Sequence, residues 1–172
     1  MAGDPGRRRW GPHMLDKTEV LKAILASLQR QLDSAHTLVA HAQQAATHEE
    51  ARAEDKYDTR GLEMSYVAAG ASDRVEQLRP VLGQYHFWQL PAANPDAIRP
   101  GALVELVADD AHMTVFVAPF GEGDKVEVDG QIVHVVTLKA PLGLALLGRA
   151  EGDEVSVGQA RHRRNWVVTS IC

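Results

Sequence analysis

Eleven residues, His48–Asp58 (HEEARAEDKYD), hold five carboxylates: Glu49, Glu50, Glu54, Asp55 and Asp58. Carboxylate oxygens are the ligands that a hard divalent cation such as Mg²⁺ takes. Crowded carboxylates repel one another, and a cation or a basic site that receives them relieves the repulsion. The competing reading is a solvated turn in which Arg52, Lys56 and Arg60 neutralise the cluster. Tyr57 and Tyr66 read as packing residues beside it. For Tyr57 the alternative is contact with nucleic acid or positioning of the acids.

Other chemistry finds less support in the sequence. His36, His41 and His48 are five and seven residues apart, so they do not share a helical face as residues four apart do. The one cysteine is Cys172. A zinc site is therefore not expected, and neither is an intrachain disulfide, which fits a reducing compartment. The basic stretch RHRRNW (Arg161–Trp166) reads as a solvated loop at a hairpin tip, with nucleic-acid contact as the alternative. A formal net charge of −5 argues against general DNA binding. No apolar run is long enough to span a bilayer and no signal peptide is legible, so a cytoplasmic location is expected.

The acids need elements to present them. Leu21, Leu25, Leu28, Leu32, Ala35, Val39 and Ala42 are spaced alternately by fours and threes, the seam of a coiled-coil helix. Met64, Ala68, Ala71, Val75, Leu78 and Leu82 form a second seam, with Pro80 near its end and Gly83 as its expected stop. Two such helices joined by a short polar segment predict an antiparallel hairpin over residues 14–88, roughly 45 Å long at 1.5 Å per residue. The seam residues shrink from leucine to alanine toward the acids, so the far end is expected to be slender. Residues 1–13, rich in Gly, Pro and Arg, read as a disordered arm or a cloning remnant.

After a Pro-rich linker over residues 89–100 the period changes to two. Ala102–Ala108 and His112–Ala118 read as strands joined at Asp109-Asp110, and Lys125–Thr137 as a hairpin around Asp129-Gly130. A short helix is expected from Pro141 to Leu147 with Gly148 as its cap, then strands Glu154–Val157 and Trp166–Ile171. The fold class is α+β: a helical hairpin, then a small antiparallel sheet domain over residues 101–172 with one short helix.

This order of elements resembles the bacterial Gre transcript-cleavage factors, and so does VTLKAPLGLALLGRAEGDEVSV (Val136–Val157). In that family a strand leads into Ser-Pro-hydrophobic, a short helix ending Leu-(Leu/Ile)-Gly, then Gly-Asp-x-Val. Pro141, Leu146, Leu147, Gly148, Gly152, Asp153 and Val155 fit, and Ala140 stands where Ser is usual. RPGALVELV resembles the opening strand of the family's second domain. At the tip, EARAEDKY keeps the spacing from Glu50 to Tyr57, while Glu54 and Asp55 stand one position from the family's Glu-Asn.

The resemblance implies an FKBP-like sheet domain docking on the rim of the secondary channel of RNA polymerase, through Ala140, Pro141, Leu142 and Asp153. It implies a hairpin inside that channel, near the 3′ end of backtracked RNA. Glu50, Glu54 and Asp55 at its tip would help to hold a Mg²⁺ of the polymerase, with Tyr57 packing beside them. The chain is then a monomeric accessory factor with no cofactor of its own. One rival is a channel binder without cleavage, which the displaced acid pair favours. A second is a prolyl isomerase of the shared fold, against which stands an aromatic set of only Phe116, Phe120 and Trp166 in the sheet domain. A third is a Gre-like regulator of another partner, such as a metabolic kinase, whose relatives have shortened hairpins.

Overall fold

The computed structural model describes residues 15–50, 60–94, 96–109, 111–158 and 164–172. Helix α1 spans Lys17–Glu50 and α2 spans Arg60–Phe87. The sheet domain follows as β1 (Leu103–Ala108), β2 (Ala111–Ala118), β3 (Asp124–Val128), β4 (Gln131–Thr137), α3 (Pro141–Leu146), β5 (Glu154–Val157) and β6 (Arg164–Ile171).

Helix α1 opens at Asp16, whose carboxylate accepts the Thr18 N–H at 2.8 Å, the hydrogen bond of an N-cap. That bond holds the Asp16 carboxyl below its usual range. With 34 residues α1 is about 50 Å long. Helix α2 runs back along it: Arg74 donates to the Gln31 side chain at 2.8 Å, and beyond the end of α2 Lys17 Nζ donates to the Pro91 carbonyl at 2.6 Å. The hairpin seam is the expected one over Leu28, Leu32, Ala35 and Ala42 on α1, and over Ala71, Val75 and Leu78 on α2, all buried.

At its base α1 buries a second stripe. Val20 and Ile24 are buried, whereas the seam residues Leu21 and Leu25 are half-buried. Ser27 and Gln31 continue that stripe at helical spacing and both donate to Asp124 Oδ2 of β3, at 2.8 and 3.1 Å. The base of α1 therefore packs on α2 with one face and on the sheet with the next. Gly83 does not stop α2, which continues past Pro80 to Phe87. The extra turn is held from outside: Tyr85 is buried, its ring meets Phe120 edge-on at 5.4 Å, and its hydroxyl donates to the Phe120 carbonyl.

The sheet has the order β3-β4-β2-β1-β6-β5. All neighbours are antiparallel except β2 and β4, which pair in parallel from Thr114↔Val133 to Ala118↔Thr137. This corrects the all-antiparallel expectation. The chain reverses between β2 and β3 and again at Asp129-Gly130, and β4 rather than β3 inserts beside β2, leaving β3 at the edge. Asp129 and Gly130 both have positive φ, 51° and 74°, as a two-residue type I′ turn requires.

Alternation along the strands sends side chains to two faces. Leu103, Phe116, Val126, Val133 and Val135 join the core with Val20, Ile24 and Tyr85 of the hairpin base. Val104, Leu106, Val115, Val117 and Val168 form the other core, under Leu146 of α3 and Ile98. The sheet thus lies between the hairpin base and α3. The expected linker is partly tied down: Ile98 is fully buried, and its backbone exchanges bonds with Arg149 and Gly148 at 2.7 and 2.9 Å.

Burial raises the Tyr85 phenol to about 12. A free tyrosine titrates near 10, so the neutral form is favoured in the folded chain. Its contribution to stability is full below about pH 10 and is lost as pH rises through about 12. Tyr85→Phe should remove that alkaline loss. Denaturant midpoints of both proteins between pH 9 and 12 measure it, and parallel pH profiles would contradict it.

Candidate functional site

The acidic tip was expected at residues 48–58. Glu54, Asp55 and Tyr57 lie outside the described residues, and Glu50 is placed only as the last residue of α1. What the structure supplies is the mount: two long helices fastened to each other and to the sheet, with α1 ending at Glu50 and α2 beginning at Arg60, next to those residues. Near the tip Tyr66 is 69% exposed, so it does not pack within the hairpin as expected. Among the described residues no group of three or more His, Cys, Asp or Glu could hold a metal. Among them, too, no helix is long and apolar enough to cross a membrane.

The second expected site is the α3 segment. Ala140 is extended (φ −83°, ψ 144°) at the N-cap, and Pro141 follows at the first helical turn, where its fixed φ suits the helix and its missing N–H costs nothing. Ala140 makes no side-chain capping bond. A hydroxyl there should satisfy an N–H of the first turn. Ala140→Ser is therefore expected to raise stability by about 0.5–1 kcal/mol, measurable by chemical denaturation; a loss would show that the site has no room for the cap.

Gly143 is buried and its backbone lies against β4. A methyl group on it would stand 2.1 Å from the Thr137 carbonyl oxygen. This close approach packs α3 flat on the end of β4 and so sets which side chains of α3 face out. Leu146 is fully buried and Leu142 is half-buried against the same core. Pro141 is exposed, Leu144 is 60% exposed and Leu147 is 43% exposed. Spacing by threes puts them on one face. The outward apolar face of this segment is thus Pro141, Leu144 and Leu147. Sequence reasoning named Ala140, Pro141, Leu142 and Asp153 for docking and did not single out Leu144. The residue types could not separate Leu142 from Leu144, because leucines occupy both faces.

Asp153 acts within the turn. Its Oδ2 accepts the Ala150 N–H at 3.0 Å, and its backbone carbonyl accepts the Val168 N–H at 2.9 Å. Glu151 in the same turn accepts the Ile171 N–H at 2.8 Å. Both acids fasten the α3–β5 turn to β6. Of the basic stretch, Arg164 and Asn165 belong to β6, opposite Val157 and Ser156, and the Arg164 guanidinium lies 5.6 Å from the centre of the Trp166 ring. Residues 161–163 lie outside the described residues.

The aromatic residues do not converge. Phe116 is buried on the hairpin side of the sheet and Trp166 on the α3 side, while Phe120 stacks edge-on with Tyr85 and Trp88. They frame no common pocket of the kind a prolyl isomerase would need. A cleft of about 490 Å³ lies between the hairpin base and the loops after β2 and β4. Arg74 spans its edge, bonded to Glu122 at 2.9 Å and to Gln31.

No protein-family model matches the sequence, and no curated protein does. Solved structures of similar fold include Gfh1 of Thermus aquaticus, with 25% identity, 87% of this chain and 94% of that chain covered, and a TM-score of 0.38. The transcription factor Gfh1 in another structure has 22% identity over the same shares, with a TM-score of 0.39. The elongation factor GreA/GreB from Nitrosomonas europaea has 15% identity, with 55% of this chain and 78% of that chain covered and a TM-score of 0.36.

Proposed function

We propose that the chain is a Gre-type accessory factor that inserts its hairpin into the secondary channel of RNA polymerase and regulates transcript elongation. The observation that carries this reading is the mount. An antiparallel rod about 50 Å long stands on a sheet domain whose α3 turns an apolar face outward. Each part has a role. The α3 face, with Leu144 at its centre, docks on the channel rim. The seam narrows to Ala35, Ala42 and Ala71, which lets the helices approach closely and keeps the rod slender enough for a pore.

Glu50, Glu54 and Asp55 then reach a Mg²⁺ of the polymerase, which stimulates cleavage of backtracked RNA. The chemistry is two-metal hydrolysis, in which the metals stabilise the attacking and leaving oxygens. The chain lends carboxylate oxygens to a metal held chiefly by its partner and has no active centre of its own. The second reading is a channel binder that tunes or inhibits the polymerase without cleavage. It is favoured by one feature, the step of four from Glu50 to Glu54 where the family pattern has three.

Docking is tested by Leu144→Glu. An exposed leucine tolerates the change in the folded chain, whereas a carboxylate buried without a partner in an interface weakens binding by about 100-fold. Affinity for core polymerase measured by competition should fall accordingly; undiminished affinity removes the α3 face from the reading. The two functional readings are separated by adding the protein to a backtracked elongation complex: released 3′ fragments support cleavage, and altered elongation without fragments supports the binder.

A further inference from the structure

The apolar contacts that seat the rod on the sheet lie at its base, where Val20 and Ile24 of α1 and Tyr85 of α2 share a core with Leu103, Phe116 and Val133. Gln31 stands about 16 Å farther along α1 than Val20 at 1.5 Å per residue. At that level the junction opens into the cleft of about 490 Å³, and the two sides meet there through a chain of polar contacts. Asp124, at the start of β3, is fixed on the sheet side, because its Oδ1 accepts the Lys125 N–H at 2.8 Å. Its Oδ2 faces α1 and accepts from Ser27 Oγ at 2.8 Å and from Gln31 Nε2 at 3.1 Å. The other end of the Gln31 amide accepts from Arg74 of α2 at 2.8 Å, and Arg74 reaches back to Glu122 at 2.9 Å. The contacts close a loop from the segment before β3, across both helices and back.

Stability alone does not account for this loop. The Arg74 and Glu122 side chains are 34% and 71% exposed, and ion pairs so open to solvent contribute little to stability. The lever arm is the larger matter. Helix α1 runs about 45 Å from Val20 to Glu50. Pivoting at the base, a tilt of about 5° carries the far end about 4 Å at that length. Reacting groups tolerate far less, since misplacement by about 1 Å can lower a rate about 100-fold. The cleft leaves the rod room to lean, and the loop of bonds sits beyond the pivot, where a brace has more leverage than the apolar base.

We propose that Asp124, Gln31 and Arg74 are positioning residues: their loop of bonds braces the rod against the sheet domain and so aims the acidic tip inside the polymerase. The inference rests on the polymerase reading above. It adds how a domain held at the channel rim directs groups at the other end of the rod. The three residues act through the angle of the rod and not by contact with the metal.

The bond between positions 31 and 124 can be broken and remade with side chains of nearly the same shape. In a Ser27→Ala background, Gln31→Glu removes the donor and sets carboxylate against carboxylate. Adding Asp124→Asn restores a bond with donor and acceptor exchanged: the new amide donates to the new carboxylate, and its oxygen still accepts the Lys125 N–H. Wild-type, broken and remade versions of the full chain are compared. Each is measured for affinity for core polymerase and for activity on backtracked complexes, read as released 3′ fragments or altered elongation. Each also carries Cys172→Ser with spin labels at His41→Cys on α1 and Glu154→Cys on β5, both exposed positions, for distances in the free chain. The inference expects the broken version to widen the distance distribution and to lose activity tenfold or more, with affinity within a few-fold and helix content unchanged. The remade version should return distances and activity to those of the wild type. An unwidened distribution in the broken version overturns the inference and leaves the polymerase reading intact. So does a widened distribution with full activity, a loss of activity that only follows a loss of affinity, or a failure of the remade version to recover. A wild type that does not bind polymerase overturns the reading and the inference together.

Discussion

Replacing both Glu54 and Asp55 with alanine is expected to lower cleavage in backtracked complexes by about 100-fold, the upper end of what loss of a metal's supporting groups costs. Affinity for the polymerase should stay within a few-fold, because the α3 face and the rod are untouched. Raised Mg²⁺ should restore part of the activity, since mass action offsets a weakened site. Glu50→Ala should come next in effect, and Glu49→Ala and Asp58→Ala should be nearly silent. Loss of binding instead of activity would assign the acids to docking or to hairpin stability. No effect on either would return them to a solvated turn.

The second large effect is on stability. Gly143→Ala is expected to destabilise the chain by roughly 3 kcal/mol, the upper part of the range for overpacking a core. The added methyl would stand 2.1 Å from a backbone oxygen of β4. Neither neighbour can yield by rotating a side chain, so α3 must lift from the sheet. Gly148→Ala is the control. Gly148 has φ +75° with nothing within 4 Å of a Cβ, so it carries only the cost of a left-handed alanine, about 1 kcal/mol. Urea midpoints compare the two, and a smaller loss at Gly143 than at Gly148 would show that α3 is not seated as described.

The elements most legible in the sequence were those whose pattern is local. The fours-and-threes spacing of Leu28, Leu32, Ala35 and Ala42 found the hairpin seam, and Asp129-Gly130 found the turn between β3 and β4. What escaped was set by distant neighbours. Val20 and Ile24 lie one residue off the seam, and only the presence of β3 beside α1 makes them core. Gly83 carries the local signature of a helix stop, which is overridden because Tyr85, two residues later, is held by Phe120. The parallel pairing of β2 with β4 leaves no mark on the period of either strand. At the candidate site, Pro141 and the Leu-Leu-Gly that follows located the α3 segment, but only its seating through Gly143 tells the outward Leu144 from the inward Leu142. The acids at the tip remain known by their spacing alone.

The central claim is that the rod delivers residues near 54 and 55 to the polymerase active centre. Cys172 is the only cysteine, so Cys172→Ser with Asp58→Cys offers one attachment point at the tip for an iron chelate that generates hydroxyl radicals. Bound to core polymerase, the chelate should cut the polymerase chain at the segments that hold the catalytic Mg²⁺, and a Leu144→Glu background should abolish those cuts. Cuts confined to the outer surface, or none above those from free chelate, would contradict the account.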